Sequence, residues 1–124
     1  MPDETPSIVV IEARIAPALL RRLVDAWFGD MVKYVVDVSR GVIAIGGEMH
    51  ADAGGVLLER GSRQEDIWGA NYLPGQGPDG CIEYTSLINI RPARGNRGME
   101  VEDAALRDRI RELTFSLVGD GREG

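Results

Sequence analysis

Glu48, His50 and Asp52 stand at spacing two within Gly46-Gly47-Glu48-Met49-His50-Ala51-Asp52, and His50 is the only histidine of the chain. In an extended strand successive side chains alternate faces, so these three would project together from one side. A histidine with two carboxylates suits a divalent ion such as Zn²⁺, Mn²⁺ or Fe²⁺ as cofactor. The same row suits acid–base work, because imidazole titrates near neutrality and a flanking carboxylate orients it and raises its affinity for a proton. His50 and Glu48 are therefore the candidate catalytic residues, and His50, Glu48 and Asp52 the candidate metal ligands. A straight row reaches one ion only if the strand bends, which Gly46-Gly47 would allow. The competing explanation is that Glu48 and His50 bond structural partners on a half-exposed sheet.

A second constellation combines Arg91, Arg94, Asn96 and Arg97 with Gly95 and Gly98. Glycines let backbone N–H groups approach an anion, and guanidinium forks grip phosphate or carboxylate bidentately. No Gly-Lys-Ser/Thr accompanies them, so this is not a phosphate loop. The competing explanation pairs these arginines with the chain's own Glu100, Glu102 and Asp103. Asn71 and Asn89 lie in strand-like runs, against β-propensity, and each needs a compensating partner, either a ligand or a loop backbone. Arg91, Arg94, Asn96, Arg97, Asn71 and Asn89 are the candidate ligand-binding residues. Ser62 lacks a nucleophile-elbow pattern and reads as a turn or cap residue, and Cys81, with no second histidine to activate it, reads as packing.

The elements that must position these groups follow from periodicity. Ile8 to Ile11 is β-branched and predicts a strand within Ser7–Ile15. Pro17 suits a first helical turn, and Leu19, Leu20, Leu23, Val24, Trp27 and Phe28 recur at helical spacing before Gly29. Met31–Val38 alternates and Val42–Ile45 follows after Ser39-Arg40-Gly41, which predicts a hairpin whose second strand would deliver Glu48 and His50. Asp52 would cap a short helix over 53–60, weakened by Gly54-Gly55. Ile67–Leu73 and Cys81–Ile90 read as strands around a Pro/Gly-rich loop, and Asp103 as the N-cap of a last helix with Leu106, Ile110, Leu113 and Leu117 as its stripe. The order β-α-β-β-(short α)-β-β-α predicts an α+β single domain over 1–124. Its mostly antiparallel sheet would have four to five strands, with two main helices on one face and flexible tails at 1–6 and 119–124. The other face, left uncovered, would favour a homodimer.

The 124 residues carry 44% hydrophobic and 27% charged residues, which is the composition of one ordinary globular domain. A formal net charge of −6 argues against a general nucleic-acid partner. All fourteen basic residues are arginine except Lys33. No apolar run approaches membrane-spanning length, the first residues lack a signal-peptide pattern, and a single cysteine fits a reducing compartment, so a cytoplasmic location without membrane contact is expected.

Three segments, GGEMHAD at Gly46–Asp52, GSRQEDIWGAN at Gly61–Asn71 and INIRPARGNRGMEVED at Ile88–Asp103, together resemble a small prokaryotic family of unknown function. The resemblance spans most of the chain and supplies no activity. Binding of an anionic small molecule or a partner protein through a polar face therefore ranks ahead of the alternative. That alternative is a metal-dependent or His-assisted, hydrolase-like enzyme acting on a phosphate- or carboxylate-bearing metabolite.

Overall fold

The β-branched opening run forms β1 (Ile8–Ile11), and Pro17 starts α1 (Pro17–Trp27) as its fixed φ predicts. Next come β2 (Val32–Asp37), β3 (Val42–Gly46), α2 (His50–Glu59), β4 (Ile67–Tyr72), β5 (Ile82–Glu83) and α3 (Ala104–Leu117). The computed structural model describes residues 7–123; the tail expected at 1–6, and Gly124, lie outside the described residues. The five strands form one sheet in the order β1-β3-β2-β4-β5, with every neighbouring pair antiparallel. The expected α+β single domain is therefore present.

Alternation along the strands divides the core in two. Val32, Tyr34, Val36, Ile43, Ile45, Trp68, Ala70 and Tyr72 face α1 and α3, whose Leu20, Leu23, Val24, Ile110 and Leu117 complete the larger cluster. Val35, Val42, Ala44 and Ile67 face the other way, against Ala53 and Leu57 of α2. The two main helices do share one face, but α2 covers the other, so the uncovered sheet face that favoured a homodimer is not there. Burying a Leu or Val side chain contributes about 1.5–3 kcal/mol, and β2 spends this on both sides of the sheet.

Several boundaries differ from expectation. The strand expected over Cys81–Ile90 pairs with β4 only at Ile82 and Glu83, and Thr85 makes a lone bridge to Glu100. The chain then folds into a single 3-10 turn at Leu87–Asn89, with Ser86 Oγ accepting from Ile88 N at 3.2 Å. The expected C-terminal tail is packed through residue 123. Gly121 N donates to the Tyr72 hydroxyl at 2.9 Å, and that hydroxyl donates to Glu123 Oε2 at 2.6 Å. Ser62 holds the hairpin together: its hydroxyl donates at 2.6 Å to the fully buried Asp37, which also accepts from the backbone of Ser39 and Arg40. Asp103 caps α3, accepting from Ala105 N at 3.0 Å.

Candidate functional site

The extended path of β3 ends at Gly46-Gly47, whose φ angles are +114° and +85°. A Cβ on Gly46 would lie 2.3 Å from Ser7 O, so only glycine fits there. The chain turns out of the sheet, and His50 becomes the first residue of α2 with Met49 as N-cap. This corrects the expected strand row. Glu48 precedes the helix, and His50 and Asp52 point about 200° apart around it. Glu48 and Asp52 are exposed while His50 is buried. Among the described residues no three of His, Cys, Asp and Glu gather so as to hold a metal ion, so Glu48, His50 and Asp52 do not form the expected ligand set.

His50 instead packs down on β4. Its Nε2 lies 2.8 Å from Ala70 O, a carbonyl that can only accept, so Nε2 carries the proton and Nδ1 holds the lone pair of the neutral ring. Burial pushes the proton affinity of His50 below its ordinary value, and the charge of Lys33 pushes it the same way. The bond to Ala70 and the nearby Asn71 amide pull partly back. The close fit depends on Gly69, where a Cβ would meet Ser86 Cβ at 2.6 Å and His50 Cδ2 at 3.1 Å.

Beside His50, pairing across the sheet sets Lys33 of β2 opposite Asn71 of β4, and Asn71 opposite Glu83 of β5. Asn71 Nδ2 donates to Glu83 Oε1 at 3.1 Å. A carboxylate accepts only, so the amide nitrogen must face Glu83 and the oxygen turns away from it. Asn71 Oδ1 is buried and has no hydrogen-bond partner among the described residues. Lys33, His50, Asn71, Thr85 and Ser86 line a cavity of about 290 Å³ walled by Met49, Ala51, Leu87, Ile88 and Met99. Leu87 is 72% exposed and Met49 53%, so the rim is apolar and open to solvent. The only lysine and the only histidine of the chain thus meet at one cavity.

The other polar candidates do structural work. Asn89 Oδ1 accepts from Gly69 N at 2.9 Å while its Nδ2 donates to Gly69 O and Met99 O, both at 3.0 Å. Arg91 donates to Ile67 O and Ile88 O and lies 4.4 Å above the Trp68 ring. Asn96 Nδ2 donates to the carbonyls of Asn89, Gly98 and Glu100, and its Oδ1 accepts from Glu102 N. Asn89 and Arg91 take the place of a strand along the edge of β4 that β5 leaves unpaired, and Asn96 ties together the loop behind them. Arg94 and Arg97 are exposed, and Arg94 lines a separate cavity of about 120 Å³ with Glu102 and Asp103. The arginine loop does not line the cavity that holds His50.

Of the expected site residues, only His50 and Asn71 line this cavity. Lys33 and Ser86 went unnoticed as site residues; the signal for Lys33 was its being the lone lysine, but its position opposite Asn71 needs the strand register. Cys81 is buried and its thiol is pushed up by that burial, in keeping with packing. No helix among the described residues is long and apolar enough to cross a membrane. No curated protein and no solved structure matches the chain. The three sequence segments account for a hairpin lock, a helix seated on β4 and a capped strand edge, and the pattern as a whole is that of a family without an assigned activity. The chain belongs to the family described as "protein of unknown function (DUF5674)", whose profile matches residues 9–117.

Proposed function

We propose that this protein binds a small molecule with an anionic end and an apolar body in the cavity between Lys33, His50 and Asn71. The observation that carries this reading is Asn71 Oδ1, a buried carbonyl oxygen aimed away from Glu83 and left without a partner beside a cavity. Buried polar atoms are satisfied in nearly every case, so one that is not calls for an explanation; Arg91 Nη1 and Glu123 Oε1 are in the same state, but neither residue lines this cavity. Lys33 is the one basic residue lining the cavity, its ammonium 5.2 Å from the centre of the Phe28 ring, and Met49, Leu87 and Met99 supply an apolar wall. The anion-binding role expected of Arg91, Arg94 and Arg97 passes in this reading to Lys33.

Catalysis by His50 has less to support it. The neutral ring leaves Nδ1 as a base, but Glu48 is not among the residues that line the cavity, and Ser86 Oγ is occupied in capping Ile88 N.

The test is to record amide and imidazole NMR spectra while titrating panels of aliphatic and aromatic carboxylates, amino acids and small phosphates. At least one panel is expected to shift the Asn71 side-chain amide and the His50 ring saturably, with Lys33→Met abolishing the effect. Shifts confined to residues outside the cavity, or none in any panel, would end the proposal.

A further inference from the structure

Apart from the His50 cavity, we propose a second ligand site: Arg107, Arg111 and the Tyr84 hydroxyl bind a phosphate group in the cavity beside α3.

The site begins with helical spacing. Arg107 and Arg111 stand four residues apart on α3 and so share one of its faces. Val101 N donates to Tyr84 O at 2.9 Å, which ties Tyr84 to the segment leading into that helix. The two arginines and Tyr84 then line one cavity of about 280 Å³, together with Asp79 and Asp108.

Both guanidinium groups are held in place before any ligand arrives. Arg107 Cζ lies 4.3 Å from the centre of the Tyr84 ring, and Arg111 Cζ lies 4.9 Å from that of Phe115. Stacking fixes the plane of the fork and leaves its N–H edge available, so less side-chain entropy is lost on binding. Among the described residues no carboxylate pairs with Arg107. Arg111 has only Asp79, at 3.8 Å and with that side chain 100% exposed, a solvated contact that holds the guanidinium weakly. The Tyr84 hydroxyl has no hydrogen-bond partner among the described residues.

The sign of the field decides what such a cavity takes. The chain carries a net charge of −6, and two aspartates border the site. Burial pushes the Tyr84 phenol above its ordinary value, but Arg107 and then Arg111 pull it down, each more strongly than Asp108 pushes it up. At that oxygen the two cations outweigh the carboxylates, so an anion is favoured. The number of donors then selects among anions. A carboxylate brings two oxygens and one charge, whereas a phosphate monoester brings three acceptor oxygens and a charge approaching −2. Two guanidinium forks and a hydroxyl match the second.

The experiment titrates the full chain, at constant ionic strength, with inorganic phosphate, glycerol phosphate and acetate. The readouts are the NMR signals of the Arg107 and Arg111 Nε–H groups and of the Asn71 side-chain amide. Both phosphates are expected to move the two arginine signals saturably and to leave Asn71 unmoved, and the tighter of the two tells a monoester from the free ion as the source. Acetate is expected to bind weaker by about tenfold or more, the cost of one charge-assisted contact. Arg107→Gln and Arg111→Gln should each weaken phosphate by a similar factor, and Tyr84→Phe by a smaller one. Arg111→Gln is the primary variant, because Arg111 is exposed and its thermal midpoint is expected to stay near that of the parent. Arg97→Gln, at an exposed arginine outside this cavity, is the control and should change nothing. If acetate binds as tightly as phosphate, or Arg97→Gln weakens phosphate as much as Arg111→Gln, the effect is general attraction to surface charge and the proposal is overturned. Unmoved arginine signals overturn it as well. Movement of Asn71 alone would overturn this site while leaving the His50 cavity reading in place.

Discussion

Asn89 holds the backbone of Gly69 as a neighbouring strand would, its Oδ1 accepting from Gly69 N at 2.9 Å and its Nδ2 donating to Gly69 O at 3.0 Å. The side-chain amide has the donor and acceptor of a peptide group, so one residue satisfies an edge that β5 is too short to reach. Asn89→Leu should therefore leave two buried backbone groups unpaired and destabilise the chain by about 2–3 kcal/mol, read from the urea midpoint. A loss below 0.5 kcal/mol, on the order of a neutral surface change, would show that water satisfies this edge equally well.

Gly69 is the floor on which Ser86 and His50 rest, and overlap with Ser86 Cβ is the larger of the two conflicts. Gly69→Ala should cost about 1–3 kcal/mol by overpacking and disturb the cavity. Adding Ser86→Gly removes the Cβ in the way, so the double variant should recover part of the loss in thermal unfolding. A double variant no better than the product of the two singles would place the strain elsewhere.

His50 is buried as a neutral ring with its proton affinity lowered. The unfolded chain then binds the proton more tightly than the folded one, so acid favours unfolding. The contribution is complete above the free imidazole value of about 6.5 and is lost as pH falls from there through the lowered folded value. His50→Gln keeps a donor for Ala70 O without titrating. The stability difference between the parent and His50→Gln, measured by chemical denaturation, should shift against the parent as pH falls from 7.5 to 5. A constant difference would mean that the ring is as well solvated folded as unfolded.

Tyr72 straps the C-terminal segment to the sheet through Gly121 N and Glu123 Oε2. Burial, and after it the Glu123 carboxylate that accepts its proton, push this phenol far above its ordinary range, so it remains a donor at any physiological pH. Tyr72→Phe should cost about 1–2 kcal/mol and speed amide exchange at Gly121 relative to the core strands. Unchanged exchange at Gly121 would assign the order of the segment to its bond with Gly77 alone, in which Gly77 N donates to Gly121 O at 2.8 Å.

The sequence by itself determined the elements whose signal is local. α1 follows from Pro17 and the apolar spacing after it, and α3 from Asp103 and its stripe. The β2–β3 hairpin follows from alternation and Gly41, and the outward edges of these elements fall within a few residues of expectation. Their periodicity is written within a single turn or pleat, so no distant contact is needed to read it. The family pattern was likewise legible, because it is a property of the string of residues.

Only the tertiary structure decided the site. Glu48, His50 and Asp52 have spacing two in any conformation, but whether they share a face depends on Gly46 packing against Ser7 O, thirty-nine residues away along the chain, and on the chain leaving the sheet after it. Asn71 and Asn89 carry the same amide, yet one is spent on Gly69 and the other, bonded to Glu83 through its nitrogen, keeps a bare oxygen. The difference is which strand edge each one faces, and strand register is set by side chains far apart in sequence. The same register sets the one lysine opposite Asn71, and the packing of α2 on β4 brings the one histidine beside them, because sheet and helix make neighbours of residues that the covalent chain keeps apart.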